Sequence, residues 1–167
     1  MVGGKGKGRG EDVSRNGAYF FENDNEETVT VNSERYVTML EGFVGRLGID
    51  PTALHFQQDG GTTHTARNSM AVVPEMFGTV ISRFGDIAWP ARSPGLTVPD
   101  FFLWGFLKDR VFRRRIMTIH EIKQATVDEV AAIDEDLRRR VYGNFQTRLQ
   151  QCIDVNGGHL PDVIFRK

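Results

Sequence analysis

Asp59 and Asp100 are the two side chains of this sequence best placed to do chemistry. Asp59 follows FQQ (56–58) directly and precedes Gly60-Gly61, inside the stretch FQQDGGTTHTARNSM (56–70). Glycines at such a point let backbone or a ligand approach closely. An acid at the C-terminal end of a strand in an open α/β sheet stands where ligands usually bind. Asp100 lies behind Pro90, Pro94 and Pro99, at the expected start of a helix, and a helix N-terminus keeps a carboxylate ionised. Two carboxylates brought together in space form a hard-oxygen site suited to Mg²⁺ or Mn²⁺. Two ions held there would activate a water and stabilise the leaving oxygen of a phosphoryl transfer. Taken singly, each acid is explained more simply, Asp59 as a turn residue and Asp100 as a helix cap.

The elements that must position these acids are legible in outline. GAYFFE (17–22), the turn NDNEE and the alternating TVTVN (28–32) predict a β-hairpin. Ser33 predicts the N-cap of a helix over 33–48, with Tyr36, Met39, Leu40, Phe43, Val44 and Leu47 on one face and Gly48 as C-cap. ALHFQQ (53–58) and TVISRF (79–84) read as strands on either side of a helix over 63–78, with Pro74 breaking or kinking its end. The prolines of 90–99 make a rigid loop, and Pro99 suits the first turn of a helix through FFLWGFLKDRVF. Trp104 is expected in the core, on one helical face with Phe101 and Val111; Trp89 is likewise expected to pack rather than to stack on bases. Two further amphipathic helices follow, TIHEIKQATVDEVAAID and DEDLRRRVYGNFQTRLQQCIDVNGG, the second stopped by Asn156-Gly157-Gly158. Hairpin, helix, strand, helix, strand and then helices describe a mixed α/β or α+β domain.

Composition narrows the classes. The 167 residues are 40% hydrophobic and 26% charged, ordinary values for a globular chain that can bury a core without staples. A formal net charge of -1 gives no global attraction to nucleic acid or membrane, so phosphate contacts must come from local basic patches. Cys152 is the only cysteine, which excludes an internal disulfide and fits a reducing compartment. No apolar run reaches the roughly 18 residues of a membrane span, so no membrane association is expected. Residues 1–16, rich in glycine with Lys5, Lys7 and Arg9 interspersed, read as a disordered tail.

Three long blocks carry a resemblance: FQQDGGTTHTARNSM, ISRFGDIAWPARSPGLTVPDFFLWGFLKDRVF and NFQTRLQQCIDVNGGHLPDVIF. Their order and content resemble insect mariner-type transposases of the Asp-Asp-Asp/Glu superfamily, from about Val13 to the C-terminus. The resemblance implies an α/β fold, a ribonuclease-H-like mixed sheet with flanking helices, formed by residues 17–167. It also implies that Asp59 matches the second catalytic aspartate and Asp100 the third acid. In the family these acids and a first aspartate bind two divalent cations, Mg²⁺ or Mn²⁺, for DNA strand nicking and strand transfer. DNA as partner, a homodimer and a nuclear location follow as expectations of the same kind.

The sequence departs from the family pattern in one consequential way. The first aspartate and the central strand that carries it have no match in the 16 residues before Gly17, where Asp12 has a strand-poor setting. The domain is therefore expected to be truncated at its N-terminus and catalytically inactive, also lacking the N-terminal helix-turn-helix units of such enzymes. Gly95 stands where the family usually has an aspartate, and Gly61 replaces an alanine.

Other residues carry weaker expectations. His64 is either a contact to the scissile phosphate or a metal, or, more simply, a helix-start histidine that caps backbone or meets solvent. Lys108, Arg110, Arg113, Arg114 and Arg115 form the densest basic stretch, suited to DNA phosphates and equally to a solvated helix end. Arg138-Arg139-Arg140, after Asp134, Glu135 and Asp136, reads as an exposed helix face. Three functions stay open: a transposase-derived nucleic-acid-binding domain without activity, an active metal-dependent DNA nuclease or transposase, and a host-recruited interaction module. The missing acid favours the first.

Overall fold

The computed structural model describes residues 18–90, 93–116, 118–158 and 160. The expected tail 1–16, with Asp12, lies outside the described residues. The chain divides after Arg92 into two compact units.

The first unit opens on the expected turn. Asn23 and Glu27 close it, with amide-to-carbonyl bonds of 3.0 Å from Asn23 to Glu27 and from Glu26 to Asn23. The predicted hairpin shrinks to one antiparallel bridge, Glu22↔Thr28, beside a bond from the Val29 amide to the Phe21 carbonyl.

Helix α1 spans Ser33–Val44. Its cap is Asn32 rather than Ser33, because the Asn32 carboxamide oxygen accepts the Arg35 amide at 2.9 Å. The helix stops at Gly45, three residues before the expected Gly48, which takes a left-handed φ of 65° in the turn beyond. Tyr36, Val37 and Leu40 are buried, whereas Phe43, expected on the same face, lies largely exposed.

A parallel βαβ unit follows. Strand β1 is His55–Gln57, helix α2 is Arg67–Met76 and strand β2 is Thr79–Ser82. The strands pair in register from His55↔Thr79 to Gln57↔Ile81, and the Gln58 amide extends the ladder to the Ile81 carbonyl. Residues 63–66 were expected to be helical and instead form turns. There the amide and hydroxyl of Thr65 both bond the Gly61 carbonyl at 2.9 Å, which holds the chain in a tight loop. Pro74 sits inside α2; with no amide hydrogen it leaves the Met70 carbonyl without its helical donor, and the helix ends two residues later.

A short strand β3, Ile87–Ala88, was not foreseen; it pairs parallel to β2, giving the order β1-β2-β3. The loop between them turns tightly over Val80, whose amide is satisfied by the Asp86 carboxylate at 2.8 Å. A Cβ on Gly85 would lie 2.3 Å from the Val80 carbonyl oxygen, so only glycine fits this turn.

The core of this unit is Tyr36, Leu40, Val73, Phe77 and Val80, with Met39, Val44, Leu54, Phe56 and Met76 packed around it. Val73 and Val80 are wholly buried, and Phe56 stacks on Phe77 with ring centroids 4.3 Å apart. Together the core fastens α1 and α2 to one face of the sheet.

The second unit begins with a turn at Ser93–Thr97 and a wide, π-type helical turn at Pro99–Leu103 that runs into α3, Trp104–Arg113. Helices α4 (Ile119–Ala131) and α5 (Glu135–Asp154) follow. A reciprocal capping box between Thr118 and Glu121 starts α4, and Asp134 caps α5 by accepting the Leu137 amide at 2.7 Å. Leu107, Val111 and Ala125 are buried where α3 meets α4. Trp104 is a correction to the sequence reading: it is 59% exposed. Residues 107 and 111 take the buried face of α3, and Trp104 shares the outer one with Lys108.

Candidate functional site

Asp59 lies two residues beyond β1, at the C-terminal end of the strand, where the sequence places it. Its Oδ1 accepts the Gly61 amide at 2.9 Å and meets His64 Nδ1 at 2.6 Å. An ionised carboxylate only accepts, so Nδ1 is the protonated ring nitrogen of His64. Partial burial pushes the Asp59 carboxyl up, but the Gly61 amide, the His64 hydrogen bond and the His64 charge outweigh it and hold the group below the usual carboxylate range. Asp59 Oδ2 makes no hydrogen bond with a described residue, and about half of the side chain faces solvent. A Cβ on Gly61 would lie 3.0 Å from Asp59 Oδ1 and 3.2 Å from His64 Nδ1, so those two side chains would have to give slightly to admit one.

The loop is braced from below. Gln58 is buried and uses both ends of its carboxamide. Its Oε1 accepts the Tyr36 hydroxyl at 2.7 Å, and its Nε2 donates to the His64 carbonyl at 3.2 Å and approaches Met70 Sδ. The Tyr36 ring lies 4.8 Å from the His64 ring. Burial, and then the Asp59 charge, push the Tyr36 phenol up, so it remains a hydrogen donor. Ser69, wholly buried, donates its hydroxyl to the Thr63 carbonyl at 2.7 Å. Sequence reasoning passed over Tyr36 as a face residue and gave Gln58 no role; the one available signal was an amide side chain beside the acid at a strand end.

Asp100 belongs to the second unit. It is exposed at the start of the Pro99–Leu103 turn, with its amide bonded to the Thr97 carbonyl at 2.9 Å. Behind it, α5 supplies Arg148, which is buried, donates to the Gly95 carbonyl at 3.1 Å and covers the Phe101 ring at 4.6 Å. Arg148 thus ties the turn before Asp100 to α5.

The basic stretch divides in two. Arg110 and Arg114 both pair with the buried Glu129 of α4, and Arg114 also reaches Asp128 at 3.2 Å. Arg113 pairs with Asp109 one turn back. Lys108 and Arg115 are exposed and form no ion pair with a described residue. Arg138 and Arg139 pair with Glu135, as an exposed helix face would.

Asp59 and Asp100 offer carboxylate oxygens, the donor type that Mg²⁺ and Mn²⁺ take, and Oδ2 of Asp59 bonds no described residue. They fit such an ion in kind. Among the described residues no three His, Cys, Asp or Glu side chains converge on one point. No described helix is long and apolar enough to cross a membrane.

No family model matches the chain, and no curated protein matches it. Solved structures do. The Mos1 strand transfer complex superposes with a TM-score of 0.66 at 21% identity, over 80% of this chain and 38% of that one. The Mos1 transposase catalytic domain with raltegravir and Mn gives 0.64 at 20% identity, over 80% of this chain and 67% of that one. The small parallel sheet with its flanking helices accordingly has the ribonuclease-H-like fold of the Mos1 transposase catalytic domain.

Proposed function

We propose that this chain is a transposase-derived nucleic-acid-binding domain that retains Asp59 as a cation-binding carboxylate and does not cleave DNA by itself. The observation that carries this reading is the Asp59 loop. In a fold matching a transposase catalytic domain, the acid at the C-terminal end of β1 is ionised and held by one oxygen, while the other bonds no described residue. The family that the sequence resembles uses three acids for strand cleavage, and Asp59 and Asp100 match two of them. The similarity to a strand transfer complex supports DNA as the partner, and the Mn in the second neighbour supports a divalent ion. A nuclear location and a homodimer belong to the same reading.

Binding would rest on Lys108 and Arg115, which form no ion pair with a described residue, more than on Arg110, Arg113 and Arg114, whose charges face Glu129, Asp128 and Asp109. Fluorescence anisotropy with a short DNA duplex over a range of salt tests this. Binding should weaken with salt, and Lys108→Ala should reduce the log–log slope by about one unit. Salt-independent binding, or none, would remove the reading. The competing reading, an active metal-dependent nuclease, is favoured by the intact Asp59 geometry. Its mark is Mn²⁺-dependent nicking of plasmid DNA that Asp59→Asn abolishes; we expect no nicking.

A further inference from the structure

We propose that Gln58 and Tyr36 are positioning residues that set the orientation of the Asp59 carboxylate and so present Oδ2 to a divalent cation. The proposal rests on the reading of Asp59 as a cation-binding group. It arises from an unusual expenditure of polar groups. Gln58 is 5% exposed and next to Asp59 in sequence. The carboxamide joins three parts of the unit: the Tyr36 hydroxyl on α1, the His64 carbonyl in the loop and Met70 on α2.

The His64 carbonyl is the decisive partner. Residues 58–66 form no helix or strand, so their conformation depends on individual hydrogen bonds. Fixing the His64 main chain, with the Tyr36 ring against the imidazole, determines where Nδ1 lies. Nδ1 in turn meets Asp59 Oδ1 at 2.6 Å, and the Gly61 amide occupies the same oxygen. With Oδ1 doubly held, the carboxylate cannot rotate without breaking both bonds. Oδ2 is then the oxygen left for a metal. Residues that orient a ligand in this way typically change metal affinity by about 10–100-fold when altered.

Mn²⁺ binding to the full chain, measured by calorimetry, tests the proposal without any assay of activity. Tyr36→Phe keeps the ring and removes the hydroxyl that satisfies Gln58. Gln58→Met keeps the length and removes both hydrogen bonds, and is the variant to read should Tyr36→Phe not fold. Val73→Ala, which trims the core and removes no side-chain hydrogen bond, controls for loss of stability. The expected result is abolition of binding in Asp59→Asn, a Kd about tenfold weaker in Tyr36→Phe or Gln58→Met, and an unchanged Kd in Val73→Ala. In the absence of metal, the Gly61 amide should also exchange faster in Tyr36→Phe, because its acceptor is no longer held. If Asp59→Asn abolishes binding while Tyr36→Phe and Gln58→Met bind as the parent does, the positioning role is overturned and the site reading stands. If Val73→Ala weakens binding as much as they do, the effect is one of stability and the positioning role again fails. Binding unaffected by Asp59→Asn, or absent from the parent chain, overturns both.

Discussion

Gly78 joins α2 to β2, and the fold predicts that it cannot be alanine. A Cβ at this position would lie 1.8 Å from the Thr52 carbonyl oxygen and 2.9 Å from its carbon. Ordinary contact begins near 3.4 Å, so the two chain segments would have to part by about 1.6 Å. Neither can do so alone. Thr52 lies in the turn Pro51–Ala53 that leads into β1, and Thr79, next to Gly78, pairs with His55 of that strand. Overpacking costs roughly 1–3 kcal/mol when side chains can yield; with main chain as the obstacle we expect about 3 kcal/mol or more. For a chain of this size that lowers Tm by about 6–12 °C. Gly143 supplies the opposite case. It is exposed in the middle of α5, and its added Cβ would meet no described atom within 4 Å beyond its chain neighbours and its own helix backbone. Gly143→Ala should stabilise by about 0.5–1 kcal/mol, because glycine loses more freedom than alanine on entering a helix. Thermal melts by circular dichroism, with both variants beside the parent chain, read the two signs at once. A Gly78→Ala chain that melts within about 2 °C of the parent would refute the close passage of Thr52 over Gly78, and with it the packing of β1 against β2.

Val73→Ala should cost about 2 kcal/mol, since Val73 is wholly buried among Tyr36, Leu40, Phe77 and Val80; urea unfolding should show a lower midpoint with an unchanged slope. Asp59→Asn should destabilise in a pH-dependent manner. The folded carboxyl titrates below its ordinary value near 3.9, so its contribution is fully present above that value and is lost as pH falls through the lower, folded value. Melts at pH 7 and pH 2 should therefore show a deficit in Asp59→Asn at the first and little at the second, a modest difference because about half the side chain is exposed and screened. Equal deficits at both would count against the depressed carboxyl.

Some of this molecule is determined locally and is therefore legible in the sequence. The cores of α1, α2, α3, α4 and α5 follow from apolar spacing of three and four residues, and the capping residues near Asn32, Thr118 and Asp134 set where helices begin. β1 and β2 follow from short runs bounded by turns, and the place of Asp59 follows from the glycines behind it. Tertiary structure decided the rest, through contacts between residues distant in the chain. Whether Phe43 or Val37 faces the core depends on how α1 meets α2, and whether Trp104 is covered depends on which face α4 takes from α3. The short strand β3 exists because Gly85 lets the loop fold back over Val80, which no local propensity specifies. Composition marks Arg110 and Arg114 as free positive charge, but Glu129 and Asp128 of α4 are brought beside them in space. Gln58 reads as one polar residue among several until Tyr36, 22 positions away, donates to it. The sequence alone thus specified the helices, the two strands and the acid at a strand's end. Only the fold chose the partners of that acid and their orientation, because a hydrogen bond depends on position and direction in space, which spacing along the chain does not encode.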